Sequence, residues 1–180
     1  VLGTAVADYL ATGNVQRQEG NRSPIMAPHG AFRCADDPES IGSEDRWAVI
    51  ALRNDALWRA VVDTIGGGQA DAKFDSFEGR KANEAELEQL ITTWTRDRRA
   101  EDVMETLQER GVPCGVVQNA EDLLDRDEHM RERGYYRYLD HADTGRSAYD
   151  GPAMVLSATP GELDAPAPLF GNDTMDVCER

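Results

Sequence analysis

The sequence is poor in the residues that build small covalent or metal-held folds. Its 180 residues include only three cysteines and three histidines. Cys34, Cys114 and Cys178 are odd in number, far apart, and form no Cys-x-x-Cys or Cys/His cluster. This pattern argues against a disulfide framework or a zinc site and fits a reducing cytoplasm. Long hydrophobic runs are missing too. No stretch approaches the roughly 20 apolar residues of a membrane helix. The opening "VLGTAVADYLATG" is interrupted by Asp8 and lacks the basic leader of a signal peptide. Positive charge is scarce: 19 Lys and Arg stand against 34 Asp and Glu, a net charge of −15. Such a surface repels nucleic acid and anionic membranes, and it repels a phosphate-rich ligand unless local arginines or lysines intervene. Internal repeats and low-complexity tracts are absent.

What is present suits a soluble globular chain, with 40% hydrophobic and 29% charged residues. The length fits one domain, or a small domain with flanking pieces. The first residue is Val rather than Met, so the chain is expected to begin inside a longer polypeptide.

Residues 1–12 carry Leu2, Val6, Tyr9 and Leu10 at helical spacing, with Gly13 as a stop. "GNRSP" and "APHG" mark the stretch to Gly30 as irregular. "AFRCA" and "RWAVIAL" read as two neighbouring strands, expected to pair antiparallel across an acidic turn. "NDALWRAVVDTIGGG" reads as a helix capped by Asn54 and stopped by Gly66. "NEAELEQLITTWTRDR" places Leu87, Leu90, Ile91 and Trp94 on one face, and Asn83 with Glu86 resembles a capping box. "AEDVMETLQERG" is a shorter helix closed by Gly111. "VPCGVVQ" is a short strand, and "NAEDLLDRDEHM" a helix capped by Asn119. "GYYRYLD" and "PAMVLSA" read as two further strands. The tail from Thr159 is too rich in Pro, Gly and acid to build a core alone. Strands and helices do not alternate strictly, which points to an α+β layer structure rather than a doubly wound sheet.

Spacing alone reveals no active site. "GGGQ" at Gly66–Gln69 follows a helix and lacks the lysine of a phosphate loop, so it reads as a helix stop. His129 lies among charges, and His141 in "LDHADTG" reads as a turn residue. His29, in the irregular opening stretch, is the histidine of most interest. Ser23, Ser147 and Ser157 show no nucleophile-elbow pattern. "RDRR" and "RDEHMRERG" read as helix-surface ion-pair partners. Tyr135, Tyr136 and Tyr138 read as cover for a sheet face.

The order of several segments carries more. "GNRSPIMAPHG" before a strand, "RWAVIALRNDALW", "GVPCGVVQNAEDLL" and the closing "APLFG" together resemble the C-terminal half of the class III CoA-transferase family. That family includes formyl-CoA transferase, the carnitine CoA-transferase and bile-acid-inducible protein, and α-methylacyl-CoA racemase. The resemblance covers nearly the whole chain. It implies a two-layer α+β sandwich small domain over 31–142. Residues 1–30 would end the connection from a large CoA-binding domain, and 143–180 would return to it as an extended tail. It further implies an interlocked homodimer in the cytoplasm, with no nucleic-acid or membrane partner. Coenzyme A and acyl-CoA would enter as substrates rather than tightly bound cofactors, with a carboxylic acid as the second substrate. In the family's transferases an aspartate attacks the acyl-CoA thioester and forms a mixed anhydride. That aspartate would lie upstream, so this chain holds no catalytic residue and would be inactive alone; no metal is implied. A glycine-rich loop that covers the active site in formyl-CoA transferase falls where this chain has "NRSPIMAPHG". This places Asn21, Arg22 and His29 as substrate-binding candidates on a substrate-facing segment or lid stiffened by Pro24 and Pro28, with a plain interdomain connector as the alternative reading. The racemase branch uses an upstream His and Asp, so the present residues leave it open. Asn54, where racemase-like members carry Glu, leans toward transfer. A non-catalytic binding or assembly module is the third reading.

Overall fold

The computed structural model describes residues 3–39, 45–66 and 71–179. In chain order the elements are α1 (Gly3–Thr12), β1 (His29–Arg33), β2 (Trp47–Ala51), α2 (Asp55–Ile65), α3 (Phe77–Ala82), α4 (Glu84–Thr95), α5 (Ala100–Gln108), β3 (Cys114–Val116), α6 (Glu128–Arg133), β4 (Tyr136–His141), β5 (Gly145–Asp150) and α7 (Thr174–Cys178). The mixture of helices and small sheets is the α+β class the sequence predicts. Among the described residues no helix is long and apolar enough to cross a membrane. The chain divides into two compact units, residues 1–117 and 118–180.

In the first unit β1, β2 and β3 form an antiparallel sheet with β2 in the centre. Alternation along the strands sends Phe32, Ala48 and Ile50 to one face, where they meet Trp58 and Val61 of α2, Leu87 and Ile91 of α4, and Val103 and Leu107 of α5. Burying each of the larger of these side chains stabilises the fold by about 1.5–3 kcal/mol. The helix boundaries follow local chemistry. Asn54 caps α2 by accepting from the Leu57 N–H at 3.0 Å, and Gly66 ends it in the left-handed region at φ 114°. The rest of "GGGQ", residues 67–69, lies outside the described residues.

The capping box expected at Asn83 and Glu86 does not form. Since α3 runs directly into α4, the carbonyls of α3's last turn lie beside Asn83. Its side-chain amide donates to Gly79 O at 2.8 Å, and no side-chain cap bond is made. Glu86 pairs instead with Lys73. Helix α1 forms as the sequence predicts, but none of its side chains is buried, and Val6, Tyr9 and Leu10 stand exposed.

In the second unit Asn119 and Asp122 cap each other reciprocally: each backbone N–H donates to the other's side-chain oxygen, at 3.0 and 2.9 Å. The expected helix then widens to a π-type turn over Asp122–Arg126, closed by the Asp127 N–H to Asp122 O at 2.7 Å. Asp127 restarts the chain as α6 by accepting from the Met130 N–H, a bond that holds its carboxyl below the ordinary carboxylate range. β4 and β5 form a hairpin with Tyr136 opposite Asp150 and His141 opposite Gly145. The second strand is therefore Gly145–Asp150, not "PAMVLSA". The tight turn at 142–144 sets the partner of β4 and leaves the more apolar segment beyond the hairpin. His141 is the turn residue predicted: its Nδ1 accepts from the N–H groups of Asp143 and Thr144.

Candidate functional site

Residues 13–28 connect α1 to β1 without a regular element of their own. Gly13 and Gly20 turn the chain through positive φ, and Ser23 and Met26 form an isolated bridge. The segment is held at four points, three of them by cations. The Arg22 guanidinium donates to both carboxylate oxygens of Glu88 at 2.7 Å, with Glu84 3.8 Å away. That hydrogen-bonded pairing, led by Glu88, raises the Arg22 pKa further. Lys81 donates to Ser23 O at 3.0 Å and to both oxygens of Glu84 at 2.9 and 2.8 Å. Arg80, fully buried, donates to Ala27 O at 2.8 Å. The fourth point is Pro28 O, which accepts from the Leu52 N–H at 2.9 Å.

Arg80 deserves its burial in physical terms, because an unpaired buried cation would cost several kcal/mol. Besides Ala27 O, it donates to Phe74 O at 2.9 Å, Asp75 O at 3.3 Å and the Asp55 carboxylate at 2.7 Å. Its guanidinium also lies 5.8 Å from the centre of the Trp58 ring. One side chain thus ties the loop, the start of α2 and the turn before α3 together. The helix that presents it starts at Ser76, which caps the Gly79 N–H. Gly79 itself is required, since a Cβ there would sit 1.9 Å from Lys73 O.

The anchored loop, β1 and α4 flank an open cleft of about 320 Å³. Asn21, Arg22 and His29 all line it, together with Glu19, Glu88 and Thr92. The three residues singled out from the sequence are therefore neighbours across one wall. His29 Nδ1 is bonded to the Asn21 carbonyl oxygen. A carbonyl only accepts, so Nδ1 carries a proton and donates it to this bond.

β1 is an edge strand of the sheet. Pro28 O bonds to Leu52 N and Cys34 N to Arg46 O, both in the register that pairs His29 with Ala51. Even-numbered residues of β1 therefore bond to β2, and the main-chain groups of the odd-numbered ones point away from it. Ala31 thus turns its N–H and C=O to the open side of the strand, where it too lines the cleft. Arg33, two residues on, fills its outward carbonyl with the Thr95 hydroxyl at 2.7 Å.

Sequence reading missed Glu84, Glu88, Lys81, Arg80 and Ala31. One signal was available. Glu84 and Glu88 are four apart on one helix, an unfavourable like-charge pair unless cations sit over that face. The arginine clusters behave as read: Arg99 lies 3.7 Å from Glu101, and Arg126 lies 3.4 Å from Glu121. His129 is exposed.

Comparison with known proteins places this geometry. The family model for CoA-transferase family III matches residues 1–174. A succinyl-CoA–D-citramalate CoA-transferase of Chloroflexus aurantiacus is 27% identical over 98% of this chain and 42% of its own length. A probable CoA-transferase of Mycobacterium tuberculosis is 30% identical over 87% of this chain and 19% of its own. A formyl-CoA:oxalate CoA-transferase of Rhodopseudomonas palustris is 26% identical over 92% of this chain and 38% of its own. The chain thus spans well under half the length of these relatives. A CaiB/BaiF family protein of Brucella suis shares the fold, with a TM-score of 0.78 and 23% identity over 99% of this chain and 44% of that one. The chain belongs to CoA-transferase family III.

Proposed function

We propose that this chain is the C-terminal portion of a CoA-transferase that moves CoA from an acyl-CoA to a free carboxylic acid. An aspartate upstream of these residues attacks the thioester carbonyl, forms an acyl–aspartyl anhydride and releases CoA thiolate; the thiolate attacks the aspartyl carbonyl and frees the first acid, the incoming acid displaces CoA from this aspartyl thioester to form a second anhydride, and the thiolate takes the new acyl group and restores the aspartate. The observation that carries the reading is the relatives' match over almost all of this chain but about two-fifths of their own length. Those relatives are named as transferases, which favours transfer over racemisation. In this reading residues 31–142 form the small domain, and 1–30 and 143–180 join it to the large one. Two subunits interlock as a homodimer in the cytoplasm. Asn21, Arg22 and His29 form a wall of the substrate site. Arg22 holds that wall in place through Glu88, and Asn21 and His29 face the acid.

The test is to incubate the whole polypeptide, isolated from its source cell with an antibody to this chain, with succinyl-CoA and a panel of acids. Hydroxylamine is then added to trap the anhydride for peptide mass spectrometry. The expected result is new CoA thioesters and a hydroxamate on an aspartate outside these 180 residues. A hydroxamate on Glu19, or CoA transfer by the 180-residue chain alone, would overturn the upstream nucleophile. An absence of transfer to every acid would overturn the reading itself.

A further inference from the structure

We infer that Lys81 is a positioning residue of the transferase, fixing the Asn21–His29 wall of the cleft without touching substrate; this rests on the transferase reading above. Three observations converge. The first is that the ammonium is already spent. Its three N–H groups match three bonds, one to Ser23 O at 3.0 Å and two to the Glu84 carboxylate at 2.9 and 2.8 Å. Lys81 also stands outside the cleft lining, so it has neither the place nor a donor left for a ligand. The second is that it reaches the wall by two routes. The direct route ends on Ser23, a polar residue only 8% exposed. The indirect route runs through Glu84, which lies 3.8 Å from Arg22 of the lining. Glu88, also in the lining, holds the same guanidinium from the next turn of α4. Lysine, glutamate, arginine and glutamate thus alternate in charge where the loop meets α3 and α4.

The third observation is that the held stretch closes on itself. Ser23 and Met26 bridge across Pro24 and Ile25, Arg80 holds Ala27 O just beyond, and His29 Nδ1 bonds back to Asn21 O. A shift at Ser23 is therefore passed to Asn21, Arg22 and His29 together. Function and stability respond differently to such a shift. Lys81 lies outside the apolar core, so the fold survives its loss. Displacing groups that position a substrate by about 1 Å, however, slows a reaction by up to about a hundredfold.

The experiment uses the whole polypeptide carrying Lys81→Met, which keeps the reach of the side chain and removes its donors. Calorimetric titration with CoA counts the CoA sites, and the exchange of isotopically labelled succinate into succinyl-CoA is measured per site. The variant is expected to keep its CoA sites, to exchange about tenfold more slowly at each, and to show faster amide exchange over Ile25–Ala27. Lys81→Arg, whose separate N–H groups can reach both Ser23 O and Glu84, is expected to keep most of the rate. A purely structural role would lower or abolish the sites and leave the rate per remaining site unchanged, and that result would overturn the inference. So would a slower rate per site with unchanged amide exchange in the loop, since Lys81 would then not act through Ser23. If the unaltered polypeptide exchanges no succinate, the transferase reading fails first and takes this inference with it.

Discussion

The two compact units are built on unequal amounts of buried apolar surface. Among the described residues, fourteen apolar side chains from Phe32 to Val112 interleave in the core of the first unit. Among the described residues beyond Gln118 no apolar side chain is buried; Met154, Val155 and Phe170 are exposed, and the side chain of Asp122 is buried. The second unit therefore draws its order from local devices. These are the reciprocal Asn119–Asp122 caps, the Asp127 cap, the β4–β5 hairpin, and Gly151, where a Cβ would meet Tyr135 O at 2.5 Å. Local hydrogen bonds each add only about 0.5–1.5 kcal/mol net, whereas core burial accumulates over many contacts. A sequence can thus specify a shape without supplying the apolar burial that makes it independently stable.

The sharpest way to probe this contrast is to truncate one large side chain in each unit. Trp58→Ala is expected to destabilise the chain by about 3–5 kcal/mol, because a fully buried ring that packs edge-on against Phe74 at 6.1 Å is lost. Phe170→Ala is expected to change stability by no more than about 0.5 kcal/mol. Urea unfolding of both variants measures the difference, and a large loss in Phe170→Ala would erase the distinction.

A second probe removes a polar anchor from the well-packed unit. Arg80→Met keeps much of the volume but strands the Ala27 and Phe74 carbonyls, and is expected to cost about 3 kcal/mol. Amide exchange should quicken at Leu52, which bonds to Pro28 beside the released loop. Arg80→Lys should recover little, because a single ammonium cannot span the three carbonyls and Asp55.

A third probe reads the thiols, whose effect is confined to alkaline pH. Burial pushes Cys34 and Cys114, both in the first unit, from about 9.0 up to about 11, while Cys178 in the second unit is exposed. The folded state prefers the neutral thiols. Their contribution is thus complete below pH 9 and is lost as pH rises from about 9 to about 11. The urea midpoint should fall across that window. At neutral pH iodoacetamide should label Cys178 first, and equal labelling of Cys34 would contradict its burial.

Much of the first unit was legible in the sequence. The 3.6-residue periodicity of 87–94, the Asn54 cap, the Gly66 and Gly111 stops and the pairing of β1 with β2 all appear in the structure. These are local signals, settled by neighbours in sequence. The failures share the opposite cause. Asn83 found a carbonyl of the preceding helix, Arg80 went inside because the Ala27 carbonyl and the Asp55 carboxylate reach it from distant segments, and β5 was fixed by its turn rather than by its own apolar content. The candidate site was half legible: Asn21, Arg22 and His29 stood out through family likeness. Glu88 and the outward edge of Ala31 come together only once α4 and β1 lie side by side.

The alternation along β1 also sets what kind of change this region can absorb. Each residue from Pro28 to Cys34 is committed by its parity, its main chain turned either to β2 or away from it, and Ala27 is fixed from outside by Arg80. Inserting or deleting one residue between Ala27 and Phe32 would exchange the two sides, turning Phe32 out of the core and carrying His29 away from the Asn21 carbonyl. The stretch from Gly13 to Gly20 has no such commitments to the sheet. Over evolutionary time the length of the loop can therefore drift before Gly20, while between Ala27 and Phe32 only its composition can.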